Sequence, residues 1–600
     1  LSGKLPRREV ILQDLYTPQC NRLCWRFTKP NRSMVCTDKI RRCLTAAIVT
    51  FVFIIPNSIT AAQPQQPAIA SAHPLATQAG YLILERGGNA FDAAIAVSAV
   101  LSVVEPYSSG LGGGAFFLLH REQDKHQTFI DAREKAPSAA TAEMYLDAQG
   151  MVIPKASLVG PLASGIPGLP AGLVYLSKQY GTLPLEESLA PAIELAEKGF
   201  PVYMRLISAL KVAQRSRGLS QKFIEVLTPN NDLPEVGQLI KQPELASTLR
   251  LIASQGREGF YNSDFTKTMV EEANRDGSIW HVDDFKNYAV IEREPIKLNF
   301  MGHKLTLAPP PSSGGTTIAT ILNIVSHYDY KSMPRDTFAH LLIEAMRRAY
   351  KDRAEYLGDP DFVEVPVDML ISKDHASNHL ATIDLDKASP SIKNSEIQQT
   401  AYVAKGTETT HFSILDQEGN RVATTQTINT WFGSGYMLPT AGIILNNEMD
   451  DFSAKPYAPN RYGLVHGQGN SIAPNKRMLS SMSPTFIESK DQLAILGTPG
   501  GARIITMVLL SLVAWTEGAD ADGMTSKKRF HHQYLPDEVR YENGAFDNGV
   551  IESLKSKGHH LKEISDYGNM QVVTMKYSDG SVMASSDPRA LIENIEILWY

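Results

Sequence analysis

The stretch from residue 409 onward alternates strand patterns with helical ones, and this alternation limits the fold more than any other feature of the chain. Residues 411–415 and 422–427 have strand-like patterns, and the turn sequence at 416–420 predicts a hairpin between them. Residues 504–516 predict an apolar helix, and residues 572–584 predict a second hairpin. Strands that open and close a segment with helices between them favour layered packing, which is an α+β fold.

The preceding part of the chain is mostly helical in pattern. Residues 74–85 predict a helix that a Gly-Gly-Asn sequence ends, and residues 90–104 predict a second helix that is apolar on most faces and therefore buried. Residues 338–357 predict a long helix. Residues 189–198 predict a shorter one with Pro191 in its first turn, where proline is tolerated.

Four of the seven residues at 108–114 are glycines, a density that is also found in phosphate-binding loops. The Lys-Ser/Thr pair of a P-loop is missing, however, and the segment that follows predicts a strand rather than a helix. Close packing of buried backbone is therefore the favoured interpretation.

Residues 1–62 differ from the rest of the chain in charge and in cysteine content. They hold ten Lys/Arg and three Asp/Glu, whereas the whole chain has a formal net charge of −6, so residues 63–600 carry −13. An acidic body argues against nucleic acid as a partner. All four cysteines lie between Cys20 and Cys43, so the body has no disulfide, cysteine nucleophile or cysteine metal site.

This leader is organised like a secretory signal peptide. Lys39, Arg41 and Arg42 form a basic region, residues 44–55 form a largely apolar run, and small residues follow the break at 56–58. The run is short for a membrane span, although an uncleaved N-terminal anchor is the alternative. We therefore expect secretion across the inner membrane, into the periplasm or out of the cell.

Thr409 can act on a substrate with its own α-amine as the base only if the chain is cut in front of it. A threonine hydroxyl needs a base to take its proton, and an N-terminal threonine supplies that base in its own α-amine. An internal threonine lacks the amine, so the Glu408–Thr409 bond has to break first. Threonines are common in strands for packing reasons alone, and the residue type by itself does not single out Thr409.

A series of motifs accompanies Thr409, and their order and spacing do single it out. The series comprises DAREKAP at 131–137, TTHFS at 409–413, TINT at 427–430, LNNEMDDF at 445–452, LSSMSPT at 479–485 and GTPGG at 497–501. Over about residues 66–600 the chain resembles the γ-glutamyltransferase (γ-glutamyltranspeptidase) family of N-terminal-nucleophile hydrolases.

The resemblance implies a four-layer αββα sandwich and a zymogen that cleaves itself between Glu408 and Thr409. The products would be a large subunit, 63–408, and a small subunit, 409–600, that stay together as a heterodimer. The implied activity is hydrolysis and transfer of the γ-glutamyl group of glutathione and other γ-glutamyl amides, with water, amino acids or dipeptides as acceptors. Neither a cofactor nor a metal is expected.

The resemblance also implies roles at the reacting centre. Thr409 would attack the γ-carbonyl and form a γ-glutamyl ester, and Thr427 would hydrogen-bond Thr409 and orient it. The backbone N–H groups of Gly500 and Gly501 would form the oxyanion hole. Without the resemblance, Thr427 is an ordinary strand hydroxyl, and the glycines form a plain turn after Pro499.

The glutamyl end of such a substrate is a zwitterion, so the implied pocket carries both charges. Arg133 would pair with the α-carboxylate, to which Ser480 and Ser481 would donate further hydrogen bonds. The α-ammonium would be held by Asn429, Glu448 and Asp451. Taken alone, the acidic pair Asp450-Asp451 is a helix cap or a calcium ligand pair.

Residues 453–475, rich in proline, glycine and asparagine, separate the acidic motif from the serines. The resemblance implies that this stretch folds over the site as a lid that Tyr462 closes. A mobile surface loop is the competing interpretation.

Two other functions are compatible with the same sequence. A glutaryl or cephalosporin acylase would use the same nucleophile, but its substrates lack the α-ammonium, so the three residues assigned to that group argue against it. A secreted, non-catalytic binding protein requires the loss of a key group, and none is missing.

Overall fold

The structure is a computed structural model that describes residues 62–216, 218–391 and 408–590. The predicted signal peptide and the four cysteines lie outside the described residues. Within those three ranges, no helix combines the length and the apolarity needed to cross a membrane.

The strands are short and mostly buried. They are β1 (Ala68–Ser71), β2 (Gly114–Arg121), β3 (His126–Ala132), β4 (Phe200–Pro201), β5 (Leu239–Ile240), β6 (Ile291–Arg293), β7 (Ile296–Phe300), β8 (His303–Leu307), β9 (Thr410–Leu415), β10 (Arg421–Thr427), β11 (Thr485–Glu488), β12 (Gln492–Gly497), β13 (Phe530–His531), β14 (Val539–Glu542), β15 (Leu561–Ile564), β16 (Gln571–Lys576) and β17 (Val582–Ser586).

The helices vary from one turn to six. They are α1 (Pro74–Glu85), α2 (Ala90–Val104), α3 (Leu169–Gln179), α4 (Leu185–Lys198), α5 (Met204–Ser216), α6 (Gln221–Leu227), α7 (Pro243–Tyr261), α8 (Asp264–Arg275), α9 (Val282–Lys286), α10 (Gly314–Val325), α11 (Arg335–Tyr356), α12 (Val367–Leu370), α13 (Lys373–Leu380), α14 (Ile504–Thr516), α15 (Ala521–Ser526) and α16 (Asn548–Ser556).

Two six-stranded sheets lie at the centre. The first has the strand order β1-β9-β10-β2-β3-β6, and the second has the order β17-β16-β12-β11-β8-β7. The sheets face each other; α2 and α3 cover the outer face of the first, and α10, α14 and α15 cover the outer face of the second. This arrangement is the four-layer αββα sandwich that the resemblance implied.

The sequence of β2 shows why both sheets are buried on two faces. Phe116 and Leu118 point between the sheets, Phe117 and Leu119 point to the outer helices, and none of the four is more than 1% exposed. Because successive side chains of a strand point to opposite faces, an uninterrupted apolar run buries the strand on both sides.

Each sheet joins strands from both sides of the Glu408–Thr409 bond. In the first sheet, β9 and β10 lie between β1 and β2, which come from the N-terminal part of the chain. In the second sheet, β8 from the N-terminal part pairs with β11. Two fragments cut at this bond would therefore share both sheets and one core.

Local signals fixed some helix bounds and not others. The helices α1 and α2 have the predicted bounds, and the Asn89 side chain caps α2 by accepting from the N–H groups of Phe91 and Asp92. The predicted start of α4 was wrong: it begins at Leu185, so Pro191 lies inside the helix rather than in its first turn. Acidic residues in the true first turn stabilise the earlier start.

The glycine-rich segment before β2 is a close backbone contact, as predicted. A Cβ atom on Gly113 would lie 1.9 Å from the carbonyl oxygen of Thr427. Only glycine permits this approach, and the contact fixes the end of β10, where the predicted site begins.

Candidate active site

Thr409 directly precedes β9, at one end of the first sheet. The hairpin register pairs Thr410 with Gln426, so Thr409 stands opposite Thr427. The side-chain oxygens of Thr409 and Thr427 are 2.8 Å apart. The N–H of Asn429 donates to Thr427 Oγ1 over 2.8 Å and so helps to hold that hydroxyl beside Thr409. The predicted nucleophile and its orienting residue are thus in direct contact.

The backbone at Thr409 is strained. Its φ angle is 84°, in a region that β-branched residues rarely adopt. Such a conformation costs about 1–3 kcal/mol and persists only where the surrounding structure enforces it. The strain lies at the bond that the sequence predicts to be cleaved.

One pocket brings together ten of the eleven predicted site residues. The exception is Gly500, which directly precedes the lining residue Gly501 in the chain. The free volume among the side chains is about 20 Å³, room for about one water molecule, so a glutamyl group requires a wall to move. The predicted residues that line the pocket are Arg133, Thr409, Thr427, Asn429, Glu448, Asp451, Tyr462, Ser480, Ser481 and Gly501.

Arg133 is the central cation of this pocket. It follows β3, is fully buried, and donates to Glu448 Oε1 and, over 2.7 Å, to Asp451 Oδ2. The remaining guanidinium contacts are the carbonyl oxygens of Met478 and Leu479, each at 3.3 Å, and Glu134 at 3.5 Å. The residues predicted to hold the two substrate charges therefore neutralise one another in this structure.

The carboxyl groups around Arg133 have pKa values above the ordinary range. Burial raises the pKa of Glu134 to about 7. Burial and the neighbouring Glu134 raise the pKa of Glu448, and burial outweighs Arg133 in raising the pKa of Asp451. Burial alone would lower the pKa of Arg133, but the surrounding carboxylates raise it. The three acids influence one another's protonation, whereas Arg133 stays charged.

Two acceptor atoms in the pocket are available to a cation. Glu448 Oε2 is buried and has no hydrogen-bond partner among the described residues. The side chain of Asn429 donates its N–H to the Asn447 carbonyl over 2.9 Å, which leaves Oδ1 as its acceptor. A buried acceptor without a partner, such as Glu448 Oε2, is costly unless a ligand satisfies it.

Gly500 and Gly501 have the geometry of an anion-binding turn. Their φ angles are 143° and 57°, which favour glycine. Neither N–H donates to another described residue. Gly501 starts the single turn that leads into α14, so the positive end of a helix lies at these amides.

Tyr462 closes the pocket from above. A Cβ on Gly501 would lie 2.4 Å from the Tyr462 ring, so the ring lies directly across that glycine. The Tyr462 hydroxyl donates to the Asn429 carbonyl over 3.0 Å, and the segment is also tied down where Asn460 donates to Asp451 over 3.2 Å. The stretch 453–475 thus lies folded over the site; that it opens stays a prediction.

Ser480 and Ser481 form another part of the pocket wall. Ser480 Oγ accepts from the Met482 N–H over 3.1 Å. Ser481 Oγ accepts from the guanidinium of Arg353 over 3.4 Å. This second arginine was not predicted, because a helical arginine 128 residues before Ser481 carries no motif that links it to the site.

Arg353 is a buried cation without a carboxylate partner among the described residues. It is 2% exposed, and its other partners are Ser313 Oγ at 2.9 Å and His466 Nε2 at 2.7 Å. Burial lowers its pKa to about 10, against the attraction of Asp451. A buried cation of this kind favours an anion at the Ser481 wall.

Two residues near the motifs are structural. Asp450 accepts from Ser157 over 2.7 Å and from the Arg461 N–H over 2.9 Å, so it anchors the segment over the site rather than facing the pocket. His411 contacts Thr425 at 2.8 Å, and burial lowers its pKa to about 3. A neutral histidine engaged inside the hairpin adds no charge to the site.

Comparison with known proteins agrees with this geometry. The sequence profile of the γ-glutamyltranspeptidase family matches residues 76–595. The chain belongs to this family. The glutathione hydrolase proenzyme of Escherichia coli (strain K12) is 41% identical over 540 residues, covering 88% of this chain and 91% of that protein.

Solved structures give the same family and fold. The cephalosporin acylase of Bacillus halodurans superposes with a TM-score of 0.76 at 26% identity, covering 88% of this γ-glutamyltranspeptidase-family chain and 95% of its own. A chain of the Helicobacter pylori γ-glutamyltranspeptidase gives 0.51 at 37% identity, over 55% of this chain and 96% of its own. The predicted family, sandwich fold and enzyme class are confirmed.

Proposed function

We propose that this γ-glutamyltranspeptidase-family enzyme hydrolyses and transfers the γ-glutamyl group of glutathione and related γ-glutamyl amides through an ester on Thr409. The observation that carries the proposal is the pairing of the Thr409–Thr427 hydroxyl contact with a pocket that offers both charges of a zwitterion. The name of the 41% identical relative supports glutathione as a donor.

Self-cleavage precedes the enzymatic reaction. Thr409 Oγ1 attacks the carbonyl carbon of Glu408, the Glu408–Thr409 C–N bond breaks, and the hydroxyl proton passes to the Thr409 nitrogen. Water then hydrolyses the resulting ester, which leaves a carboxylate on Glu408 and a free α-amine on Thr409. The strained φ of 84° at Thr409 supports this step because cleavage relieves it.

The same hydroxyl then acts on the substrate. The α-amine of Thr409 takes the hydroxyl proton while Oγ1 attacks the γ-carbonyl. The negative charge that develops on the carbonyl oxygen is stabilised by the N–H groups of Gly500 and Gly501. The leaving amine departs with the proton, and a γ-glutamyl ester stays on Thr409 until water or an amino acid or dipeptide attacks it.

Binding of the zwitterion would replace the ion pairs that Arg133 makes with Glu448 and Asp451. The substrate carboxylate would accept hydrogen bonds from the guanidinium of Arg133 and from the hydroxyls of Ser480 and Ser481. The ammonium would take over Glu448, Asp451 and the Oδ1 of Asn429. The exchange keeps every buried charge paired, which avoids the several kcal/mol that an unpaired buried ion costs.

The remaining assignments concern assembly and location. We propose subunits 63–408 and 409–600 held as a heterodimer by the shared sheets. We also propose secretion directed by the leader, with its apolar run at 44–55. Tyr462 would move with the segment over the site to admit the donor and then the acceptor.

Comparison of three anilide donors tests the proposal. A γ-glutamyl anilide carries both charges, a glutaryl anilide lacks the ammonium, and a 4-aminobutyryl anilide lacks the carboxylate. We expect kcat/KM to fall by about 10²-fold or more for either truncated donor, because buried polar groups then lose their partner. Steady-state release of the aniline measures it. A glutaryl donor that matched the γ-glutamyl donor would favour the cephalosporin or glutaryl acylase alternative.

The role of Arg353 has its own test. Arg353→Met removes the cation behind Ser481, and we expect the KM of the γ-glutamyl anilide to rise by about 10-fold or more. The same substitution should barely change the KM of the 4-aminobutyryl anilide, which has no carboxylate to lose. An Arg353→Met variant that raised the KM of both donors by the same factor would show that Arg353 only supports the packing. Arg353→Lys is the control that retains the charge.

A further inference from the structure

Three side chains with metal-ligating atoms converge away from the pocket, on α11 and α13. Asp352 lies near the C-terminal end of α11. His375 and His379 are four residues apart on α13, so both imidazoles project from one face of that helix. The geometry therefore brings two imidazoles and one carboxylate together from two separate helices.

The ligating atoms are close enough to share one ion. Nε2 of His375 and Nε2 of His379 each lie 2.7 Å from the same oxygen, Oδ2 of Asp352. All three atoms lie within 4.8 Å of one another. Tetrahedral zinc ligands that each lie 2.0–2.1 Å from the ion are separated by roughly 3.3 Å, so each of the two nitrogen–oxygen distances has to widen by about half an ångström.

Burial and charge also suit a cation. The Asp352 side chain is 8% exposed, and the two histidines are its ion-pair partners among the described residues. The imidazoles are 15% and 17% exposed, so an ion has access from solvent. The cation one turn earlier, Arg348, is already paired with Glu344 over 2.7 Å.

We propose that Asp352, His375 and His379 bind one divalent zinc-class metal ion, with water completing the coordination. Two neutral imidazoles and a carboxylate suit Zn²⁺, which takes both nitrogen and oxygen ligands. The ion would clamp α13 to α11, and Asp352 directly precedes Arg353, which contacts the pocket. The site lies outside the proposed reaction and does not depend on it.

Zinc titration of the full, untagged chain tests the site. The protein is stripped with a chelator, any leader thiols are blocked by alkylation, and ZnCl₂ is added at pH 7.5 in a calorimeter, with bound zinc counted after gel filtration. We expect one zinc per chain and an unfolding midpoint that rises with zinc. A chain that retains no zinc at micromolar concentrations overturns the proposal.

Matched variants locate the ion. His375→Gln and His379→Gln keep an N–H that reaches Asp352 but remove the imidazole ligand, and each should weaken zinc binding by about 10²-fold. His327→Ala is the control, because His327 contacts α13 through Ser377 at 3.1 Å without belonging to the triad. Equal zinc affinity in the wild type and both glutamine variants would place any bound ion elsewhere and refute the site.

Discussion

Replacement of Thr409 by alanine will leave the purified chain uncleaved and inactive. The hydroxyl is the proposed nucleophile both for breaking the Glu408–Thr409 bond and for attacking the donor, so one substitution removes both steps. We expect activity to fall on the order of 10⁵-fold or more, as in other enzymes that lose their nucleophile. Intact-mass analysis reports the cut directly, because the wild type should release a fragment of 192 residues, 409–600.

Two further variants separate the roles of the hydroxyls. Thr409→Ser keeps the nucleophile and should still cleave and turn over, at a reduced rate. Thr427→Ala removes the partner at 2.8 Å and should slow both cleavage and transfer without abolishing either. A Thr409→Ala chain that still split at this bond would disprove self-cleavage by Thr409.

Replacement of Arg133 by alanine will have the second largest effect, on donor binding and on stability together. The α-carboxylate loses its guanidinium partner, and we expect kcat/KM for a γ-glutamyl anilide to fall on the order of 10³-fold, equivalent to about 4 kcal/mol. The free energy of unfolding should also fall by about 3–5 kcal/mol near pH 8, because Glu448 and Asp451 then lie buried without their cation.

The pH dependence of this loss has a definite sign. Burial raises the pKa of Glu134, Glu448 and Asp451 above that of an exposed carboxyl. A carboxyl whose pKa is higher in the folded state than in the unfolded state holds its proton more tightly when folded. The free energy of unfolding therefore decreases as pH rises from about 4 through the folded pKa. The deficit of Arg133→Ala should therefore be smaller at pH 5 than at pH 8, as measured by denaturant unfolding.

Control variants separate the effect of the Arg133 charge from the effect of the guanidinium shape. Arg133→Lys keeps the positive charge but lacks the planar, two-pronged guanidinium. Its kcat/KM and its free energy of unfolding should both lie between those of the wild type and of Arg133→Ala. Adding Glu448→Gln to Arg133→Ala removes one of the stranded acids and should restore part of the stability. An Arg133→Ala enzyme with an unchanged donor KM would contradict the assignment of Arg133 to the substrate carboxylate.

Much of the fold was predictable where short-range signals decide it. The helices α1, α2 and α14 have the bounds that the sequence predicts, because caps, glycines and apolar periodicity act within a few residues. The hairpin β9–β10 also formed where the turn sequence indicated. The start of α4 was mispredicted because the proline preference for the first turn placed Pro191 there, whereas the helix accommodates Pro191 in its interior.

The sequence by itself determined the order and spacing of the pocket motifs, and the family resemblance that these motifs carry assigned Thr409 as the proposed nucleophile and Thr427 as its proposed orienting residue. Only the tertiary structure decided that Arg133 pairs with Glu448 across 315 residues, that the Tyr462 ring covers Gly501, and that Arg353 stands behind Ser481. The physical reason is that local propensity acts over a few residues. Contacts between distant segments follow from how two sheets, built from both sides of Thr409, pack around one core.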